Sequence, residues 1–415
     1  MHLRTLAAAI AGMALAVPAV AQGLSLDEAV RVSEGRSARL AAQRHSVDAA
    51  REQVDRSKEL PDPRLKFGLE NLPVTGPDKY RYDRDFMTSR SVSLMQEFPN
   101  ESKREARGLR AARARDVEQA GLAAQGTLLR RDTAAAWFDA YYAEQVKAAL
   151  ARLAGQFALQ TEAVAPGIAR GRMGAGDSTQ LRLAHEQVKD RVIDAERQLA
   201  KARITLAAFV GDDAKRTLAA PPDTARLAHA RELYVERLTR HPTQRLFDER
   251  EALAQAEVEL ARASKKSDWS VEVGYGQRRP YFDNQLSVLF AIDLPMQAER
   301  RQDRDIASRL AELERVRAER EDARRMHEAE VKAVLADFDA AAKRIERLET
   351  ILLPLSRERR ELALAAYRGA RGELAPVLEA ERGITETELA LVQALAERAK
   401  AWTALHYLDD HGEAK

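Results

Sequence analysis

The residues able to do chemistry in this chain are dispersed. Eight histidines are spread over 415 residues, with no His-Glu-x-x-His pair and no clustered ligand spacing. His45, His185, His241 and His327 read as helix-surface residues, not as metal ligands. Met87 and Met95 raise the idea of a copper path. Met95, however, falls on the polar phase of a strand and Met87 near its start, so the pair reads as incidental. Gly171-Arg172-Met173-Gly174-Ala175-Gly176 lacks both the Gly-Lys-Ser/Thr ending and the preceding strand of a phosphate loop. No enzyme constellation emerges, and the expectation is a protein without catalysis, cofactor or resident metal. Two carboxylates, Asp177 and Glu373, sit beside glycine-bearing turns. There they serve either as helix-start charges favoured by the dipole or as members of a site.

The composition favours long helices. About 32% of residues are charged, and Ala, Leu, Glu and Arg dominate. Lys and Arg (67) nearly balance Asp and Glu (65), so no basic excess points to nucleic acid. Residues 1–21 have a basic start, an apolar run through Val17 and an Ala19-Val20-Ala21 site, the pattern of a cleavable signal peptide. The mature chain is expected to begin near Gln22. The absence of cysteine excludes disulfides, thiolate metal sites and acylation of a processed N-terminal Cys. No later window is long and apolar enough for a spanning helix, a test that transmembrane β-strands escape.

Two phrases, "SVSLMQEFP" (Ser91–Pro99) and "SVLFAIDLP" (Ser287–Pro295), echo one another. A shift of 196 residues also pairs Gly176 with Gly372 and Asp177 with Glu373, while upstream a shift of 206 pairs Asp62 with Asp268. The mature chain therefore reads as two repeats, 22–225 and 226–415, each helix, strand, strand, long helix, helix. Strands are expected at about 63–70, 87–98, 269–276 and 284–294. The opening helices are expected from Leu26 to about Leu60 and from Ala230 to about Lys266, with Ser25 and Glu28 as a capping box. Each long helix is expected just after Pro99 or Pro295, because proline suits a strand-to-helix entry. Val331, Val334, Phe338, Ala341, Ile345, Leu348, Leu352 and Leu355 follow a coiled-coil spacing. All four strands alternate apolar with polar or small residues, with Leu289 breaking the polar side of the fourth, which fits a soluble sheet with one buried face or a barrel with lipid outside. Four strands cannot close a barrel, so membrane-spanning strands would have to be pooled from several chains.

The chain resembles the outer membrane factor (TolC-like) family. The similarity rests on the duplicated unit, the "EFP" and "DLP" junctions, the opening "LSLDEAV" (Leu24–Val30) and the tip-like "AYRGARGELAPVLEAE" (Ala366–Glu381). The resemblance implies a mainly α protein with transmembrane β-strands: a homotrimer whose 12-stranded outer-membrane barrel continues as a periplasmic α-helical tunnel. It implies a passive duct in the outer membrane of a Gram-negative bacterium, in contact with outer-membrane lipid. A periplasmic adaptor (membrane fusion protein) and an inner-membrane resistance-nodulation-division (RND) pump would complete the tripartite system. The segments "LPDPRLKFGLENLPVTGP" and "RDFMTSRSVSLMQEFP" look most like the heavy-metal branch (CzcC- and CusC-like), implying export of copper and silver or of cobalt, zinc and cadmium. Multidrug efflux or type I secretion is the alternative cargo, and a periplasmic coiled-coil scaffold or adaptor is the alternative class. By resemblance, Gly174, Gly176, Gly369 and Gly372 mark the adaptor-docking tips. Glu379, Asp177 and Glu373 would ring a periplasmic gate, Glu379 foremost, although Pro376 stands where the family can carry another carboxylate.

Overall fold

The computed structural model describes residues 23–162, 175–369, 371 and 373–408. The expected leader lies outside these residues, as do Gly174 and Gly372. In chain order come α1 (Leu26–Arg36), α2 (Ala38–Arg56), β1 (Arg64–Glu70), β2 (Ser89–Phe98), α3 (Glu101–Glu162) and α4 (Ala175–Val210). Then follow α5 (Arg231–Glu236), α6 (Pro242–Ala263), β3 (Trp269–Gln277), β4 (Gln285–Ile292), α7 (Gln302–Arg347), α8 (Leu353–Arg368) and α9 (Ala375–His406).

Both opening helices are broken where the sequence led us to expect continuity. Ser37 takes an extended conformation and caps α2, its Oγ accepting from the Leu40 amide at 3.2 Å. In the second half the break falls at His241, because the proline that follows disfavours helical backbone in the residue before it. The long helices differ too. α3 runs unbroken for 62 residues, whereas a π-turn at Leu348–Leu352 separates α7 from α8. Pro354 opens α8 without an amide to donate, and the π-turn accommodates that missing bond. The turn also shifts the helical phase. Val331, Phe338, Ala341, Ile345 and Leu348 are buried as the heptad predicts, but Leu352 and Leu355 are exposed. The predicted seam therefore ends about one heptad early.

Contacts gather the described residues into two compact units, each drawing on both sequence halves. One unit holds the described parts of 1–35, 133–224 and 348–396. Its fully buried Trp137 donates through Nε1 to the Leu24 carbonyl at 3.0 Å, and the Ala219 amide donates to that same oxygen at 3.1 Å. Ser25 Oγ accepts from the Glu28 amide as the capping box requires. The Glu28 carboxylate does not complete the box; it takes a two-pronged hydrogen bond from Arg216 (2.7 and 3.3 Å). That bond, opposed by desolvation, holds Glu28 below the usual carboxylate range. α4 ends on Gly211, whose φ of 66° suits a residue without Cβ. Leu153, Phe157, Leu181, Val188, Val377 and Leu378 form this unit's apolar cluster.

The other unit holds 36–132, 225–347 and the described part of 397–415. Its four strands form one antiparallel sheet in the order β1-β2-β3-β4. In the same unit, α6 packs on α7 through Ala254, Val258, Leu313 and Val316.

Candidate functional site

Register sorts the sheet into two chemically opposite faces. On one, cross-strand rows read Phe98–Trp269–Ile292, Leu65–Leu94–Val273–Val288 and Phe67–Val92–Tyr275–Leu286. On the other lie Lys66, Ser93, Glu272 and Ser287. Lys66 Nζ donates to Glu272 Oε2 at 2.6 Å and Ser93 Oγ to Oε1 at 2.5 Å, tying three strands together. Gly274 keeps this face close-packed, since a Cβ there would meet Ser287 Oγ at 2.6 Å. Met95, on the polar face, stands opposite Arg64 and Glu272, and Met87 precedes β2.

Among the described residues of this unit, nothing covers the apolar face. Phe67 is 78% exposed and Phe290 is 72% exposed, and every residue of β1 and β4 is exposed. Among the described residues, no strand neighbours the outer edge of β1 or of β4. A soluble sheet buries its apolar face and blunts its edges; this sheet does neither. No described helix is long and apolar enough to cross a membrane, a test that does not bear on strands.

The strand-to-helix junctions are unequal. After Pro99, the Asn100 amide donates to Asp268 Oδ1 at 2.8 Å and Lys103 Nζ to Oδ2 at 2.6 Å, with both ionic side chains largely buried. Burial pushes the Asp268 carboxyl up, but Lys103 and the Asn100 amide outweigh it and hold the group below its usual range. α3 starts at once. After Pro295 the chain makes a turn and a short 3₁₀ segment before α7 begins at Gln302, so the helix does not open directly after this proline. Pro295 is thus a looser junction than the sequence led us to expect.

At the helical hairpin end of the other unit, Gly176 lies within the first turn of α4 and Gly369 caps α8 with φ −80°. Neither uses the left-handed region, so neither position draws on the special freedom of glycine. Asp177 sits in the first turn of α4 and Glu373 is exposed just before α9. Glu379 is exposed and lies 3.4 Å from Arg359 on α8. Two residues on, Glu381 was missed in the sequence. It lines a cavity of about 250 Å³ with Arg152, Arg357, Arg360 and Glu388. Burial raises its carboxyl pKa, Arg360 opposes the rise and Glu361 adds to it.

His241 is likewise not the surface residue the sequence implied. It is buried, and its Nδ1 accepts from the Thr243 amide at 3.2 Å to cap α6. Its ring lies 4.6 Å from that of His327, whose Nδ1 is 3.4 Å from Glu330 and whose Nε2 is buried without a hydrogen-bond partner. With Nδ1 of His241 accepting, its proton resides on Nε2, so the arrangement is a cap and a packed pair. The His-Pro step was the available signal. Among the described residues, no group of three or more His, Cys, Asp or Glu is placed to hold a metal ion.

No family model and no curated protein matches the chain. Solved structures do. CusC, reported with its folding and transmembrane channel formation, is 15% identical over 92% of each chain, with a TM-score of 0.76. The outer membrane protein VceC of Vibrio cholerae is 18% identical over 92% of this chain and 95% of its own, at 0.74. The Campylobacter jejuni CmeC outer membrane channel is 11% identical over 94% and 87%, at 0.75. The chain therefore has the fold of these outer-membrane channel proteins. More narrowly, its helices and four-stranded sheet follow the outer membrane factor pattern.

Proposed function

We propose that this chain is a member of the outer membrane factor family: the outer-membrane channel subunit of a tripartite RND-type efflux system. It works as a homotrimer, as a passive duct without catalysis. The observation that carries this reading is the uncovered apolar face on a sheet with two open edges. Such a surface is stable only if lipid covers the face and further strands complete the edges. Three copies would pool their strands into one closed wall, with Lys66, Ser93 and Glu272 lining its aqueous side. Energy would come from the inner-membrane pump, through an adaptor docked at the hairpin tips, where Glu379, Asp177 and Glu373 would lie as rings of carboxylates. Such rings concentrate cations. The heavy-metal cargo rests on the resemblance of Leu60–Pro77 and Arg84–Pro99 to that branch.

Two measurements test the two levels. Full-length protein should leave the outer membrane only with detergent and run as a three-chain assembly; a monomer soluble without detergent would sink the channel and leave the scaffold reading. A deletion strain should lose tolerance to copper and silver or to cobalt, zinc and cadmium. Unchanged metal tolerance with lost drug tolerance or lost protein secretion would keep the duct and replace its cargo.

A further inference from the structure

On the apolar face of the sheet, beyond the Phe67–Val92–Tyr275–Leu286 row, the next row is Leu69–Arg90–Gln277. Arg90 is the one ionised strand residue on that face. It borders a cavity of about 480 Å³ built from the β1–β2 and β3–β4 loops, which Arg278 and Arg279 also line. The three guanidinium groups are held by aromatic rings. Arg90 lies 4.7 Å from the centre of the Tyr82 ring; Arg279 and Arg278 lie 4.6 and 5.8 Å from that of Phe282. Backbone contacts fix them further: Arg279 donates to the Arg84 carbonyl at 2.5 Å and Arg278 Nε to the Asp283 carbonyl at 2.7 Å. Arg279 Nε is buried without a hydrogen-bond partner. One acid, Asp83, lines the cavity against three arginines.

Position turns this cationic cluster into a specific site. From Phe98 to Arg90 the strand rises about 27 Å, or roughly 20 Å of membrane height at the usual tilt, close to the apolar band of such barrels. The charge therefore appears where acyl chains give way to headgroups. Stacked guanidinium forks are weakly hydrated and preorganised, and they match the oxygens of a phosphate better than an ammonium does. Leu69, Phe67 and Val92, running down from the cavity, offer an apolar track for acyl chains. We propose that this cavity binds the phosphate of a lipid in the outer leaflet, with the lipid's chains along that track. The inference rests on the membrane reading above.

The test is native mass spectrometry of the full-length assembly in detergent, titrated with bisphosphorylated lipid A, its dephosphorylated counterpart and inorganic phosphate. The expected result is about a tenfold preference for the phosphorylated lipid. Arg90→Gln and Arg279→Gln should each reduce that preference severalfold, while Lys79→Gln, outside the cavity lining, leaves it unchanged. Arg90 makes only a ring contact, so its variant keeps the test valid should Arg279→Gln disturb the loops. Equal retention of dephosphorylated lipid, or wild-type preference in Arg90→Gln, overturns the site. Displacement of the lipid by millimolar inorganic phosphate would make it a free-anion site and overturn the lipid assignment. A chain soluble without detergent would defeat the membrane reading itself, whereas a membrane-embedded assembly indifferent to phosphate defeats this inference alone.

Discussion

The sheet passes into helix twice, by two different constructions. At Pro99, a carboxylate from the start of the adjacent strand reaches across, satisfies the Asn100 amide and neutralises Lys103. At Pro295, the positions matching Asn100 and Lys103 are Met296 and Glu299. Met296 is 87% exposed, and the chain wanders before α7, with Lys265 paired to Asp303 just beyond the turn. Asp62, which the repeat aligns with Asp268, is exposed at the start of β1. β3 lies beside β2 within one chain, while β1 is an open edge. The locked junction is therefore the one whose partner strand belongs to the same polypeptide. The loose junction follows β4, whose outer neighbour must come from another copy in the proposed ring.

The comparison is broken most directly at Asp268. Asp268→Ala leaves Lys103 unpaired in a largely buried site and orphans the Asn100 amide, at a cost of about 2–4 kcal/mol in thermal unfolding of the detergent-solubilised assembly. The acid profile should show the same contact. The folded-state pKa of Asp268 lies below its ordinary value of 3.8, so the carboxylate's contribution is complete above that value and is lost as pH falls through the lower folded one. The stability gap between wild type and Asp268→Asn should therefore be widest near neutrality and close in strong acid. Next in size, Met296→Asn with Glu299→Lys should give Asp62 of a neighbouring copy a lock to complete. The expected gain is about 0.5–1 kcal/mol in the assembly, abolished when Asp62→Ala is added. Asp62→Ala alone should shift stability by no more than about 0.5 kcal/mol. A large loss there would mean that the second junction is locked by contacts between copies.

The strands were legible because alternation is a local signal with a short period. β1 to β4 fall within two residues of the expected bounds, and the faces match residue by residue. The start of α3 after Pro99 was legible for a similar reason, since it is set by chemistry within a few residues. Effects that act at a distance were not. Pro354 is visible in the sequence, but its π-turn rotates Leu352 and Leu355 out of the seam only through the phase of the whole helix. Asp268 stood out as a repeat marker, yet its partner Lys103 lies 165 residues away and no pattern pairs them. Glu379 drew attention by resemblance, while the desolvated carboxylate proved to be Glu381, because burial depends on how α8 and α9 pack.

The unpaired edges of β1 and β4 also carry a consequence for inheritance. In the proposed three-chain ring, closure requires two sound edges from every copy, so one faulty β4 would spoil the product of all three chains. A proline within β4 should therefore behave as a dominant trait when co-expressed with the normal gene. At equal expression and random mixing, roughly one ring in eight would contain normal copies alone.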